Sequence, residues 1–221
     1  MSLLEIRNVS YTYQSQYQKT EALKNVSLVF EPGTVYAVTG KSGSGKTTLL
    51  SLMAGLDLPG SGEVLCEGES TAKMDLQKYR REKAAVIYQS FRLLPLLTAA
   101  ENIMFPMELN GMNAKDARKA ALKLMRRVAL SKEYADRYPT MLSGGEQQRV
   151  AIARALAMNT KILLADEPTG NLDSANSENI MNILVNLAHE EGYCVIIVTH
   201  DSSIAAASDC VIRMNDGEVV S

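Results

Sequence analysis

Gly40-Lys41-Ser42-Gly43-Ser44-Gly45-Lys46-Thr47-Thr48 is the stretch on which the fold turns. Gly40, Gly45, Lys46 and Thr47 meet the spacing of a phosphate loop: Gly, four residues, Gly, Lys, then Ser or Thr. Gly40, Gly43 and Gly45 let the backbone turn so tightly that successive N–H groups face one concavity. A helix starting near Lys46 adds its positive N-terminal end. In such a loop Lys46 reaches the β- and γ-phosphates and the Thr47 hydroxyl sits on Mg2+. Residues 34–39 (Thr-Val-Tyr-Ala-Val-Thr) are β-branched and aromatic and read as a buried strand. Residues 48–54 read as a helix that ends at Gly55. Strand, loop and helix in this order predict a nucleotide site, with its nucleotide and purpose left open.

The rest of the composition narrows the class. Of the 221 residues, 46% are hydrophobic and 22% charged, the balance of an ordinary globular protein. The net charge of −2 gives no basic excess to draw nucleic acid. Three cysteines offer no disulfide framework, and a reducing compartment is the simpler expectation. Cys194 and Cys210 stand in apolar strand-like runs and are expected to be buried. Residues 1–10 lack the basic start and long apolar core of a signal peptide. A spanning helix needs about 20 apolar residues, and runs such as residues 195–198 are far shorter. Any membrane part is therefore expected on another chain.

Along the chain, residues 3–10 alternate and read as a strand, followed by a polar hairpin tip over 14–21. Residues 26–30, 63–66, 84–88, 161–166 and 193–199 read as further strands, and 210–214 with 218–220 flank the hairpin signal Asn215-Asp216-Gly217. Residues 75–83, 177–189 and 204–208 read as helices. From Ser90 the texture changes. An apolar loop over 91–97 leads to a capping box of Thr98 and Glu101. A long amphipathic helix begins at Asn113 or Ala114, and another runs from about Ser143 to Ala157. Strands alternating with helices predict a parallel α/β core, residues 1–89 and 158–221, with an inserted helical block over 90–157.

Two further stretches carry chemistry. Residues 162–167, Ile-Leu-Leu-Ala-Asp-Glu, bring Asp166 to the carboxyl end of a buried strand, where ligands collect in open α/β sheets. Asp166 is placed to hold Mg2+, directly or through water, and Glu167 to polarise a water for attack on the γ-phosphate. Residues 142–149, Leu-Ser-Gly-Gly-Glu-Gln-Gln-Arg, start a helix with Ser143 as N-cap and Glu146 as its capping-box partner. Gly144 and Gly145 leave first-turn N–H groups uncovered for an anion. Each glycine costs a helix about 1 kcal/mol relative to Ala, which capping alone leaves unexplained.

This last string resembles the signature motif of ATP-binding cassette (ABC) ATPases, and the likeness covers essentially the whole chain in motif order. Residues 40–48 resemble the Walker A motif, 162–167 the Walker B motif, Gln89 the Q-loop glutamine, Asn171-Leu172-Asp173 the D-loop and His200 the switch histidine. Tyr13 resembles the aromatic residue that stacks on adenine; it is favoured over Tyr11, which sits closer to the strand pattern. The resemblance implies an α/β fold with a mostly parallel sheet core, a small antiparallel β-subdomain and the helical insertion. It implies ATP held by Tyr13, Gly40, Ser42, Gly43, Gly45, Lys46, Thr47 and Thr48, with Mg2+ held by Thr47, Gln89 and Asp166. It implies a head-to-tail homodimer in which Ser143, Gly144 and Gly145 meet the γ-phosphate held by the partner, with Asp173 at the interface. Glu167 is then the general base, His200 a γ-phosphate contact, and Gln89 the sensor of metal or water. His189 is expected to be solvated. Glu146 stands where Gln is commoner, and Tyr88 where Phe is usual; neither departure disturbs the reading.

Soluble ABC proteins of translation or repair usually carry two cassettes or a long coiled coil, and this chain shows one cassette and no heptad run. An energy-coupling subunit of a transporter is therefore favoured. A GTPase or small kinase fits less well, because the signature helix is present and no Asn-Lys-x-Asp motif is. Residues 167–173 and 142–157 look like the subgroup of macrolide-exporter, lipoprotein-releasing, antimicrobial-peptide-exporter and FtsE-type ATPases; amino-acid importers are the alternative. With the chain ending at Ser221, a separate permease is expected, which sets the subunit on the cytoplasmic side of a bacterial membrane. Residues 91–97, with Ile103, Met104, Phe105 and Met107, read as core or as the surface where a permease helix docks.

Overall fold

The computed structural model describes residues 2–14 and 19–220. The chain opens on two long antiparallel strands, β1 (Leu4–Gln14) and β2 (Lys19–Phe30), then enters β3 (Val35–Thr39), the phosphate loop and helix α1 (Lys46–Met53). Strands β4 (Ser61–Cys66) and β5 (Glu69–Ser70) precede α2 (Leu76–Glu82) and β6 (Ala84–Tyr88). Helices α3 (Ala99–Leu109), α4 (Ala114–Arg127) and α5 (Gly144–Ala157) follow without an intervening strand. The alternation resumes with β7 (Ile162–Asp166), α6 (Ser174–Glu191), β8 (Cys194–Thr199), α7 (Ser202–Ala206), β9 (Cys210–Asn215) and β10 (Glu218–Val220).

These strands form an antiparallel sheet, β2-β1-β4-β5, and a larger one, β10-β9-β3-β8-β7-β6. In the larger sheet only β10 runs antiparallel to its neighbour. Thr39 lies opposite Thr199, and Asp166 opposite both Val198 and Tyr88, so the parallel strands end together. After β3 the chain crosses to β6 at the far edge and returns through β7 and β8. The loops that leave β3, β7 and β8 thus meet at one crevice above the carboxyl ends, where such sheets bind ligands.

Strands β3, β6, β7 and β8 are covered on both faces, which is why they read as continuous apolar runs. Val195 and Ile197 of β8 pack into a core shared with α3, α4, α5 and α6; Cys194, Ile196 and Val198 face a second core built with α1, α2 and the antiparallel sheet. Leu163 and Ala165 of β7 join the first, Ile162 and Leu164 the second. Burying each such aliphatic side chain contributes about 1.5–3 kcal/mol, so the strands that carry the site are its firmest support.

Several expectations need correction. Strands β1 and β2 extend well into the polar stretch expected as a hairpin tip, pairing Tyr13 with Thr20 and Gln14 with Lys19; residues 15–18 of that tip lie outside the described residues. Helix α6 begins before Ser177, because Asp173 accepts the Asn176 N–H at 2.8 Å as its N-cap, and it runs past His189 to a left-handed Gly192. Cys210 is exposed, whereas Cys66 and Cys194 are buried; in β9 only Met214 is fully covered. His189 is half exposed yet not simply solvated: its Nε2 lies 2.9 Å from Asp209 Oδ2, the same oxygen that accepts the Val35 N–H at 2.8 Å.

Candidate nucleotide site

The crevice holds a cavity of about 710 Å³ lined by the phosphate loop, Tyr13, Asp166, Glu167 and His200. Gly40 and Gly45 have φ of 155° and 99°. A Cβ on Gly40 would collide with the Met214 carbonyl and sit 2.6 Å from Ser44 Oγ; one on Gly45 would collide with the Ala22 carbonyl and sit 3.0 Å from Leu23 Cδ2. The loop therefore closes against β9 and β2 only with glycine at both places. Gly45 caps α1 with no side-chain hydrogen bond, which leaves first-turn N–H groups directed into the cleft.

Lys46 is 8% exposed, and its Nζ donates to the Gly40 carbonyl at 2.7 Å and the Lys41 carbonyl at 2.8 Å. It makes no ion pair among the described residues, and one of its three N–H donors is left over. Ser44 Oγ is also buried without a partner. A buried cation with open hydrogen-bonding capacity fits an anion in the loop. Ser44 does not line the cavity, and its hydroxyl lies behind the loop against Gly40.

Tyr13 stands over this loop with its hydroxyl 3.3 Å from Thr48 Oγ1 and half its surface exposed to the cleft. The Tyr11 ring meets it edge-on at 5.0 Å. The Tyr11 hydroxyl is bonded to Asp57, which together with that carboxylate's charge pushes its pKa up to about 12. Of the two rings, only that of Tyr13 lines the cleft.

Strand β7 delivers Asp166 half-buried, and burial with the adjoining Glu167 charge raises its carboxyl above the usual range. Glu167 turns the chain at φ 47° and is tied four times to the end of β8 and the His200 that follows it. Its N–H donates to the Val198 carbonyl at 2.9 Å; its Oε2 accepts the Thr199 hydroxyl at 3.0 Å; its Oε1 accepts the His200 N–H at 3.1 Å and lies 2.6 Å from His200 Nδ1. Thr47 lines the same cavity from the first turn of α1. The Thr47 hydroxyl and Asp166 carboxylate are hard oxygen donors of the kind Mg2+ takes. No cluster of three or more His, Cys, Asp or Glu is suited to a metal among the described residues. Two protein oxygens suffice for Mg2+, which binds through one or two protein groups with phosphate and water completing its shell.

The remaining candidates lie off this cleft. Gln89 does not line it: its Nε2 donates to Asn171 Oδ1 at 3.4 Å, and Asn171 Nδ2 donates back to the Gln89 carbonyl at 3.1 Å. At α5 the capping box forms, with Glu146 N–H to Ser143 Oγ at 3.3 Å and Ser143 N–H to Glu146 Oε2 at 2.7 Å. Gly145 has a packing reason beyond an uncovered N–H, since a Cβ there would collide with Asn176 Oδ1 and stand 2.6 Å from its Cγ. Asn176 is in turn held by Asp173, Nδ2 to Oδ2 at 2.8 Å, and those N–H donors keep the Asp173 carboxyl below its usual range. Asp173 is thus the cap that fixes α6 against the start of α5, and Asn176 is a residue the sequence reading missed.

Beside β6 lies a second hollow of about 360 Å³, lined among others by Tyr88, Arg92, Leu94, Phe105, Leu109 and Arg154. Ile103, Met104 and Met107 are core, whereas Phe105 is exposed and Leu96 is 87% exposed. The fully buried Asn102 staples the loop before α3, donating Nδ2 to the carbonyls of Leu94, Leu97 and Thr98 and accepting the Leu94 N–H. Arg154 of α5 donates to the carbonyls of Arg92 at 2.6 Å and Phe91 at 2.9 Å, both left-handed residues with φ of 47° and 58°. The hollow is therefore rigidly attached to α5. No helix among the described residues is long and apolar enough to cross a membrane.

A family model described as ABC transporter matches residues 23–170. An uncharacterised ABC transporter ATP-binding protein, MJ0796 of Methanocaldococcus jannaschii, is 43% identical over 98% of this chain and 95% of its own length. The macrolide export ATP-binding/permease protein MacB of Neisseria gonorrhoeae is 43% identical over all of this chain, which spans 34% of that protein. The solved dimeric, post-hydrolysis structure of the MJ0796 cassette bound to ADP and Pi superposes with a TM-score of 0.90 at 42% identity, covering 99% of this chain and 97% of that one.

Proposed function

This chain belongs to the ABC transporter family, and from that premise we propose that it is the ATP-hydrolysing subunit of a transporter, closing as a homodimer over two ATP to drive a separate permease. The observation that carries the nucleotide reading is Lys46, a buried ammonium with a spare donor and no carboxylate partner. Lys46 and the loop N–H groups take the phosphates; Ser42, Gly43 and Thr48 complete the cradle; Tyr13 stacks on adenine. Thr47 and Asp166 would hold Mg2+, which supplies charge neutralisation on the phosphates, and Gln89 would join them on releasing Asn171. Glu167 takes a proton from water as its oxygen attacks the γ-phosphorus. The bond to the bridging oxygen breaks with its electron pair going to ADP, and His200 contacts the γ-phosphate.

Ser143, Gly144 and Gly145 lie outside this chain's own cleft, which suits a role on the ATP of a second copy, with Asp173 at the interface; the MJ0796 cassette is dimeric with ADP and Pi. Leu96, Phe105 and the hollow beside β6 suit a short helix of the permease. MacB joins a like cassette to a permease, which favours an exporter-type or mechanotransmitting complex at the cytoplasmic face of the membrane over an amino-acid importer or a soluble ABC ATPase. Lys46→Ala tests the core of the reading: ATP affinity measured by titration should fall at least tenfold, from loss of charge-assisted bonds of about 1.5–3 kcal/mol. Unchanged affinity would remove the loop from the nucleotide. A permease of few spanning helices with a large outer domain, purified from membranes with the tagged chain, supports the exporter reading; an importer permease with a solute-binding protein overturns it.

A further inference from the structure

We propose that Thr199 is a positioning residue for hydrolysis, its hydroxyl fixing the carboxylate of Glu167. The inference rests on Glu167 being the base that activates water. Thr199 is the last residue of β8 and is fully buried, and its Oγ1 lies 3.0 Å from Glu167 Oε2. The same oxygen accepts the Asp201 N–H at 3.0 Å. A hydroxyl has one proton to give. With the Asp201 N–H directed at a lone pair, that proton is left for Glu167 Oε2.

The two carboxylate oxygens are therefore held by different means. Oε1 is shared between the His200 N–H and the His200 ring, whose side chain is 75% exposed and free to turn toward a bound phosphate. Oε2 is held by Thr199, which is locked in the sheet end between β3 and β7. When the His200 ring leaves, Thr199 and the His200 N–H keep the carboxylate plane in place, and Oε1 gains room for a water.

The test compares MgATP hydrolysis and ATP binding of the full chain for Thr199→Val, Thr199→Ser and Glu167→Gln. Thr199→Val keeps the β-branched shape and removes the hydroxyl. Its kcat should fall about 10- to 100-fold, the scale on which a misplaced catalytic group acts. Its KM should stay within about twofold, as for an interaction made only in the transition state. Thr199→Ser, which restores the donor, should recover most of kcat. The proposal is overturned by Thr199→Val turning over at the native rate while Glu167→Gln is inactive. It is equally overturned by Thr199→Ser being as slow as Thr199→Val, or by Thr199→Val losing ATP binding together with kcat, which marks a structural role. A Glu167→Gln chain that hydrolyses ATP at the native rate brings down the base reading itself, a result distinct from the other three.

Discussion

Replacing Gly145 by Ala tests the contact that joins the start of α5 to the start of α6. An added Cβ would stand 2.6 Å from Asn176 Cγ and 3.2 Å from its Cβ, inside the 3.4 Å at which ordinary contact begins. Asn176 is not free to swing away, because its backbone N–H and its Nδ2 both bind the Asp173 carboxylate at 2.8 Å. Forcing a methyl into such a site costs about 1–3 kcal/mol, while Gly→Ala in a helix returns up to about 1 kcal/mol. Gly144, one residue earlier in the same turn, separates the two effects. The nearest side-chain atoms to its Cβ would be Leu172 Cδ2 at 3.2 Å and Phe91 Cζ at 3.6 Å, and both are ends that can shift. The propensity gain is common to both variants and cancels in their difference. Urea unfolding should therefore find Gly145→Ala less stable than Gly144→Ala by about 1–3 kcal/mol. In an Asn176→Ala background the difference between Gly145→Ala and Gly144→Ala should largely vanish. Equal stabilities in the native background, or a difference that persists without the Asn176 side chain, would refute the clash.

Tyr79 is buried, and its hydroxyl donates at 2.7 Å to the carbonyl of Met53 at the end of α1. Tyr79→Phe should lower unfolding stability by about 1–3 kcal/mol, the cost of stranding a buried acceptor, as read in urea, while ATP affinity stays unchanged. Asp173 provides a pH prediction. Its carboxyl is held below 3.8 by the backbone N–H of Asn176 and then by that residue's side chain. A depressed folded pKa contributes stability that is complete above the unfolded value and is lost as pH falls through the folded one. Asp173→Asn keeps an N-cap and removes the titration, so the native chain should lose stability relative to it only below about pH 4, seen in melting temperatures measured from pH 7 downward.

Local spacing made the cleft legible, because a phosphate loop works through neighbours in sequence. Gly40 to Thr47 is one turn and one helix start, and residues 162–167 are one strand with its last two carboxylates. The alternation of strands and helices was enough to predict that their ends converge. Contacts made between distant segments were not legible. Asn176 against Gly145, Thr199 against Glu167, and Asn102 inside the loop before α3 are ordinary polar residues until the fold brings their partners near. The paired part of β1 and β2 near Gln14 and Lys19 reads as loop in the sequence because both faces there are polar and exposed, so no alternation marks it. Cys210 is exposed against expectation because an apolar run says that a strand exists, not that both of its faces are covered.

The central claim is that Glu167 activates water in an ATP site completed by the Ser143 helix of a second copy. Glu167→Gln, mixed with MgATP and passed through size exclusion with light scattering while phosphate release is followed, tests both halves at once. Phosphate should not be released, and a stable dimer should form with ATP and fall apart with ADP. Phosphate release at the native rate, or a chain that binds ATP and remains a monomer, would contradict it.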